Sequence, residues 1–302
     1  MKVLICGGGG FIGQRLTSYF LSQGMEVVIL DRNRSRVTSH SLQSHVVDLL
    51  TPGLYQQEWF GNVDAVINLS GKDIFTLWTE NNRTAIWKSR ITVNKYLLDF
   101  IAELPQKPKT FVSASAVGYY GDKGDTEIDE NASKGKGFLS DVCTAWEREA
   151  RRAETLGMRS VQIRTAPVLD TRGGIMGQLM KSMKFGFTFR FGSGQNWFPW
   201  IHMDDLIRVY HSVVVDERLS GPVNACSPHP VSFSEFLNEL TGFKKAVIIP
   251  FPVWILKLII QETADVISFS QRMIPAKLQN AGFLFSYPKL RDALKVIFSR
   301  AG

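Results

Sequence analysis

A short apolar run, Val3-Leu4-Ile5-Cys6, empties into Gly7-Gly8-Gly9-Gly10, and Gly13 follows after Phe11 and Ile12. A helix-compatible segment comes next. This is the layout of a strand, a tight turn and a helix N-terminus suited to holding a pyrophosphate. Glycines let the backbone turn sharply and approach a phosphate closely. The free N–H groups of the first helical turn then face the anion, with the helix dipole behind them. A glycine motif by itself is weak evidence, so its setting along the chain decides how far it can be read.

That setting is an alternation. Val3–Ile5, Glu26–Leu30, Ala65–Leu69, Thr110–Ser113 and Ser160–Ile163 are short, apolar and unalternating, as parallel strands covered on both faces should be. Helical patterns lie between them at Gly13–Gln23, Thr79–Glu103 and Ser140–Leu156. The expectation is an α/β fold: a Rossmann-type, doubly wound parallel sheet with a small C-terminal α/β substrate domain. The division expected is 1–225 for the dinucleotide-binding domain, with a substrate-side insertion at about 168–198, and 226–302 for the small domain. Ligands in such folds bind at the carboxyl ends of the strands.

The 302 residues suffice for real cores, and 44% hydrophobic with 21% charged residues is ordinary for a globular chain. The net charge of +7 reads as a mildly basic surface, or as attraction for an anionic cofactor or substrate. No dense Lys/Arg run points to nucleic acid. Cys6, Cys143 and Cys226 lack metal-type spacing and fit a reducing compartment, so a cytoplasmic location is expected. The first apolar run is too short for a signal peptide. Val247 to Ile260 is the most hydrophobic stretch, but its prolines, Lys257 and its length argue for a packed helix under a proline-led turn, not a membrane contact.

A cofactor needs a second-strand signal. Asp31 ends Glu26–Leu30, 18 residues after Gly13, where a carboxylate can bind the ribose hydroxyls of NAD. Arg32 and Arg34 follow, and a guanidinium there can bind a 2′-phosphate. Two cations against one anion favour NADP, with NAD the alternative. Asn68-Leu69-Ser70-Gly71 leaves a strand with small residues against which the cofactor can lie.

These residues resemble the extended short-chain dehydrogenases/reductases, a group that includes nucleotide-sugar epimerases. The match runs through Gly7-Gly8-x-Gly10-Phe11-Ile12-Gly13, Asn68-Leu69-Ser70-Gly71, Ser89-Arg90-Ile91, Ser113 to Gly121 and Trp146-Glu147. Gly192-Ser193-Gly194-Gln195, Trp197 to His202 and Ile274-Pro275-Ala276-Lys277 make it similar to the epimerase-like, SDR39U1-type atypical branch over essentially the whole chain. The resemblance implies NADP bound by Gly7, Gly10, Phe11, Ile12, Gly13, Asp31, Arg32, Leu69, Ser70 and Arg90. It also implies a small-molecule substrate, a nucleotide sugar being one choice, and a homodimer is a form this superfamily takes.

Active members of that superfamily use Ser, Tyr and Lys, the last two one helical turn apart. The lysine charge lowers the tyrosine pKa. Counting back from Glu147 puts Leu139 and Cys143 in those two slots, and neither can do that work. Tyr119 and Lys123 have the literal spacing but read as a turn. Ser115, Tyr119 and Tyr120 remain as catalytic candidates: Ser115 to hold a substrate oxygen, either tyrosine as an acid. His202 precedes Asp204-Asp205, which read as helix caps, and no metal cluster accompanies it. Trp197, Phe198 and Trp200 line a pocket or close a core. Two functions stay open, an NADP-dependent oxidoreductase or epimerase and a non-catalytic NADP-dependent regulator.

Overall fold

A computed structural model describes residues 1–264 and 268–300 of the chain. Its centre is a seven-stranded parallel sheet: β1 (Lys2–Cys6), β2 (Glu26–Asp31), β3 (Leu42–Val46), β4 (Ala65–Asn68), β5 (Thr110–Ala116), β6 (Arg159–Thr165) and β7 (Gly221–Ala225). The spatial order is β7-β6-β5-β4-β1-β2-β3. The order reverses beside β1, so β1 ends at the switch point where two crossovers diverge and leave a crevice. Register is continuous across it, with Leu4 opposite both Val28 and Val66.

The strands fit the unalternating pattern because both faces are covered. Val3, Ile5, Val27, Ile29 and Ile67 belong to one buried cluster with Leu16 and Phe20 of helix α1 (Phe11–Ser22). Leu4, Val28, Leu30 and Val66 belong to another on the opposite face, with Leu97 and Ile101. Two sheet strands escape the sequence reading. β3 is an edge strand whose Gln43 and Ser44 are exposed, and β7 begins Gly221-Pro222, a weak strand signal.

The expected helix over Thr79–Glu103 forms in pieces. α2 (Glu80–Trp87) passes through a π-helical turn, Lys88–Thr92, into α3 (Val93–Ala102). Thr79 caps its start, its hydroxyl accepting from the Asn82 N–H. A π turn inserts a residue and rotates the face presented, a device frequent at functional sites. Here it carries Ser89 and Arg90. The helix over 140–156 is α4 (Phe138–Ala150) with a short continuation, Arg152–Thr155.

Beyond β6 the chain builds a cover from small pieces. Val168–Leu169 pairs with Ile201–His202, Trp197–Phe198 with Val231–Ser232, and Phe187–Phe191 with Val247–Phe251. A third core, with Trp200, Phe233, Phe236 and Leu294, holds these to helices α5 (Gly174–Met183), α7 (Phe233–Phe243) and α8 (Leu290–Ser299). Gly173 packs so closely on Phe11 that a Cβ there would lie 2.7 Å from its ring. Val253–Ile260 is helical after Pro252, with Leu256 buried and Trp254 and Leu258 exposed. Among the described residues no helix is long and apolar enough to cross a membrane.

His202 corrects the expected cap. It is itself the N-cap of α6 (Met203–Val215), its Nδ1 accepting from the Asp204 N–H at 3.1 Å. Asp204 pairs instead with Arg15 and Arg300 at 3.1 and 2.7 Å, and Asp205 accepts from the Ser286 and Tyr287 amides at 2.7 and 2.9 Å. The acceptor role requires a neutral imidazole, and burial holds its pKa below 6.5. The unfolded chain therefore binds the proton more readily than the folded one. The cap's contribution is complete above about pH 6.5 and is lost as pH falls through the window beneath it. His45 and His211, also lowered by burial, act in the same direction. Urea unfolding at pH 7.5 and 5.5 should show reduced stability at the lower pH. His202→Asn keeps a cap acceptor that does not titrate, so its acid loss should be smaller by up to about 1 kcal/mol. Equal loss in both proteins would remove His202 as the cause.

Candidate functional site

The carboxyl ends of β1, β4, β5 and β6 open into a cavity of about 440 Å³ that Trp197, Phe198 and Phe269 also line. Its floor on one side is the glycine loop. Gly7 has φ +81°, a left-handed conformation that favours glycine, and its N–H donates to Leu30 O. A Cβ on Gly13 would lie 2.2 Å from Gly7 O and 2.7 Å from Gly8 Cα, so helix and turn touch backbone to backbone. Gly10, the N-cap of α1, offers no side-chain cap, and the first turn holds no acidic residue. The amides of Phe11, Ile12 and Gly13 are thus left for an anion.

Asp31 does more than the sequence suggests. Its Oδ2 accepts from the Gly9 N–H at 3.0 Å and its Oδ1 from the Asn33 N–H at 2.9 Å. The carboxylate ties the glycine loop to the end of β2. Arg32 and Arg34 are exposed beside it, with no ion pair among the described residues. Asp31 and Arg32 flank the loop; the other eight expected cofactor residues, Gly7, Gly10, Phe11, Ile12, Gly13, Leu69, Ser70 and Arg90, all line the cavity.

Arg90 enters from the π turn. Its guanidinium lies 5.2 Å from the Trp146 ring centre, and Nη1 donates to Ile86 O and Ser89 Oγ at 3.3 and 3.4 Å. Burial pulls its pKa down, against smaller contributions from Cys143 and Asp73, yet a guanidinium stays charged. Among the described residues no carboxylate pairs with it. A half-buried cation with no carboxylate partner at a cavity wall suits an anionic ligand. A buried amide ladder fixes the wall beneath: Asn68 Nδ2 donates to Asn94 Oδ1 at 2.7 Å, and Asn94 Nδ2 to Ser113 Oγ at 3.0 Å.

Ser115, at the end of β5, lines the cavity and donates to Glu147 Oε1 at 2.7 Å. Glu147 is buried and held by Arg164, whose Nε and Nη2 donate to its two oxygens at 2.8 and 2.9 Å. Arg164 Nη1 donates onward to Tyr120 Oη at 2.9 Å and Glu130 O at 3.1 Å. Tyr120 Oη in turn donates to Asn224 Oδ1 at 2.6 Å.

This network corrects the tyrosine candidates. Tyr120 is fully buried, absent from the cavity lining, and burial pushes its phenol pKa up despite Arg164. Its hydroxyl is engaged by Arg164 and Asn224 and does not reach the cavity. Tyr119 also lies off the cavity, its ring 3.6 Å from the Arg164 guanidinium carbon. Lys123 donates to Ser133 Oγ and takes no part. Leu139 and Cys143, four residues apart on α4, do face the cavity, and burial pushes the Cys143 thiol up to about 12. Trp197 and Phe198 line the cavity, whereas Trp200 is core, its Nε1 donating to His229 O at 3.2 Å.

A profile of the NAD dependent epimerase/dehydratase family matches residues 3–225. The chain belongs to that family. A second profile, the domain of unknown function DUF1731, matches residues 251–297. This epimerase-family chain is 33% identical to epimerase family protein YfhF of Bacillus subtilis, over 99% of its own length and 98% of the relative's. To the chloroplastic SDR39U1 homolog of Arabidopsis thaliana it is 32% identical, over 98% and 86%. The human epimerase family protein SDR39U1, solved with NADPH, superposes with a TM-score of 0.84 at 27% identity, over 99% of both chains.

Several groups that shape the epimerase-family site carried no assigned role in the sequence. Glu147 stood only beside Trp146 in a motif. Arg164 gave a usable signal: a charged residue in a strand covered on both faces must find a buried partner. Asn196 and Gln271, which also line the cavity, gave none, because their segments come together only in the folded cover.

Proposed function

We propose that the protein binds NADPH across the glycine loop and acts as an oxidoreductase or epimerase of the atypical short-chain dehydrogenase/reductase type, without the usual Tyr–Lys pair. The observation that carries this is the uncapped, acid-free helix N-terminus opening into one cavity with the unpaired Arg90 and with Ser115. The division of labour that goes with it is 1–225 for the cofactor and 226–302, with about 168–198, for the substrate. The NADPH in the human relative's structure supports the choice of cofactor.

The residues present fit that group. The first-turn amides and loop glycines suit a pyrophosphate, and Arg32 is placed for a 2′-phosphate beside a carboxylate already engaged by two amides. When bound, the nicotinamide supplies or accepts a hydride. The chain's own part is to orient and to exclude water. Ser115 lies where a substrate oxygen would be held, and the aromatic cover shields it. Leu139 and Cys143 stand where a Tyr–Lys pair would work, and neither exchanges a proton near neutrality. That observation favours a second reading, a non-catalytic NADPH-dependent regulator.

Stopped-flow mixing of the NADPH-loaded protein with carbonyl compounds and sugar nucleotides separates the two. Oxidation of the bound NADPH supports the enzyme; tight NADPH binding with no turnover on any substrate supports the regulator. Arg90→Met should weaken NADPH binding about tenfold through loss of a charge-assisted contact, with little change in melting temperature. Unchanged affinity would place Arg90 outside the cofactor site.

A further inference from the structure

The cavity wall carries charge of one sign. Arg90 is the single cation among the described lining residues, and no carboxylate lines the cavity among them. The carboxylates nearby are engaged or exposed. Glu147, behind Ser115, is held by Arg164 through both its oxygens. Asp170 pairs with Arg172. Asp73 is exposed, and its Oδ1 accepts from the Phe75 amide at 2.9 Å. The Cys143 thiol, which faces the cavity, is neutral near pH 7 because burial disfavours its thiolate.

Two helix ends add to the same sign. α1 begins without a side-chain cap and without an acidic residue in its first turn. So does α5, whose N-cap is Gly173 and whose first residues, Gly174 and Ile175, line the cavity. Each sets the positive end of its dipole at the cavity.

Arg90 stands at a definite end of this wall. β2, with Asp31 and Arg32 at its end, lies on one side of β1, and β4, β5 and β6 lie on the other. Arg90 is on that other side. A Cβ on Gly71, just past β4, would meet its guanidinium at 3.1 Å, and the Trp146 ring of α4 is 5.2 Å away. A dinucleotide with its 2′-phosphate at Arg32 and its pyrophosphate on α1 lays its nicotinamide on the side of Arg90.

The oxidised nicotinamide ring carries a positive charge that the reduced ring lacks. Among the described residues the wall offers that charge no anion, and Arg90 repels it. We infer that the site discriminates between the redox states of its cofactor, binding NADPH in preference to NADP⁺, and that Arg90 is the main source of the preference. The inference rests on the proposed NADPH site. Repulsion between two like charges several ångströms apart in a protein is worth at least about a tenfold difference in affinity. A tenfold preference raises the reduction potential of the bound couple by about 30 mV. Occupancy then follows the reduced cofactor. An enzyme so built sheds NADP⁺ once the hydride has gone, and a regulator so built responds to the supply of NADPH.

Isothermal titration of the wild-type protein with NADPH and with NADP⁺ reads the preference, expected at about tenfold or more. Arg90→Met should weaken NADPH about tenfold and leave NADP⁺ nearly unchanged, so that the two affinities come within about threefold of each other. Arg90→Lys keeps the charge and should keep the preference. If Arg90→Met fails to fold, Ile175→Asp tests the same point, because a carboxylate on the wall should reduce the preference about tenfold. Equal affinities or tighter NADP⁺ in the wild-type protein would overturn the inference and leave the cofactor site standing. So would a preference that survives Arg90→Met intact. Binding of neither nucleotide would overturn the cofactor site, and the inference with it.

Discussion

Gly13→Ala should weaken NADPH binding at least about 100-fold, equivalent to about 2.8 kcal/mol. The cause is geometric. The added methyl would sit 2.2 Å from Gly7 O, 2.7 Å from Gly8 Cα and 2.9 Å from Gly8 C. All three are backbone atoms, so no side chain can swing aside. Gly7 is pinned to Leu30 O and Gly9 to Asp31, so relief must come from moving the helix away from the turn. That motion pulls the first-turn amides off the pyrophosphate. A fluorescence titration with NADPH measures the loss. Gly53→Ala, at a site with open space around its Cβ, is the control and should bind as the wild type does. Wild-type affinity in Gly13→Ala would mean that the loop is not the cofactor cradle.

The largest effect on stability should come from Glu147→Gln. The carboxylate is the partner of Arg164, with side-chain exposures of 4% and 2%. Removing its charge leaves a buried guanidinium uncompensated, a situation that costs about 3–5 kcal/mol. For a chain of this size that lowers the melting temperature by roughly 10 °C. Arg164 also carries Tyr120 and the Glu130 carbonyl, and Tyr120 carries Asn224 of β7, so the damage spreads across the sheet edge. Glu147→Gln combined with Arg164→Met removes both charges. It should therefore be less destabilised than the sum of the two single variants, the signature of a coupled pair. Thermal unfolding of the four proteins closes the cycle, and strict additivity would deny the coupling.

Much of the frame was legible along the chain. Unalternating apolar runs identify strands covered on both faces, and their spacing with helical patterns implies crossovers between parallel strands. These are local signals, so five of the seven sheet strands could be read directly. β3 and β7 could not, because an exposed edge strand and a Gly-Pro start do not carry the pattern. The positions of Leu139 and Cys143 were likewise readable, since helical spacing from Glu147 is a matter of counting, and both do face the cavity.

The sequence by itself determined the glycine turn, the parallel sheet behind it and the four-residue spacing of Leu139 and Cys143 on α4. Only the tertiary structure decided what the polar residues do. Asp31 became a brace for the loop, His202 became the cap assigned to its neighbours, Tyr120 turned its hydroxyl to Asn224, and Ser115 donated its hydrogen bond to Glu147. The reason is that apolar periodicity is short-range and set by one element, whereas a hydrogen-bond partner is chosen in space. Glu147 finds Arg164 across 17 residues and Tyr120 finds Asn224 across 104, and no local pattern encodes either choice.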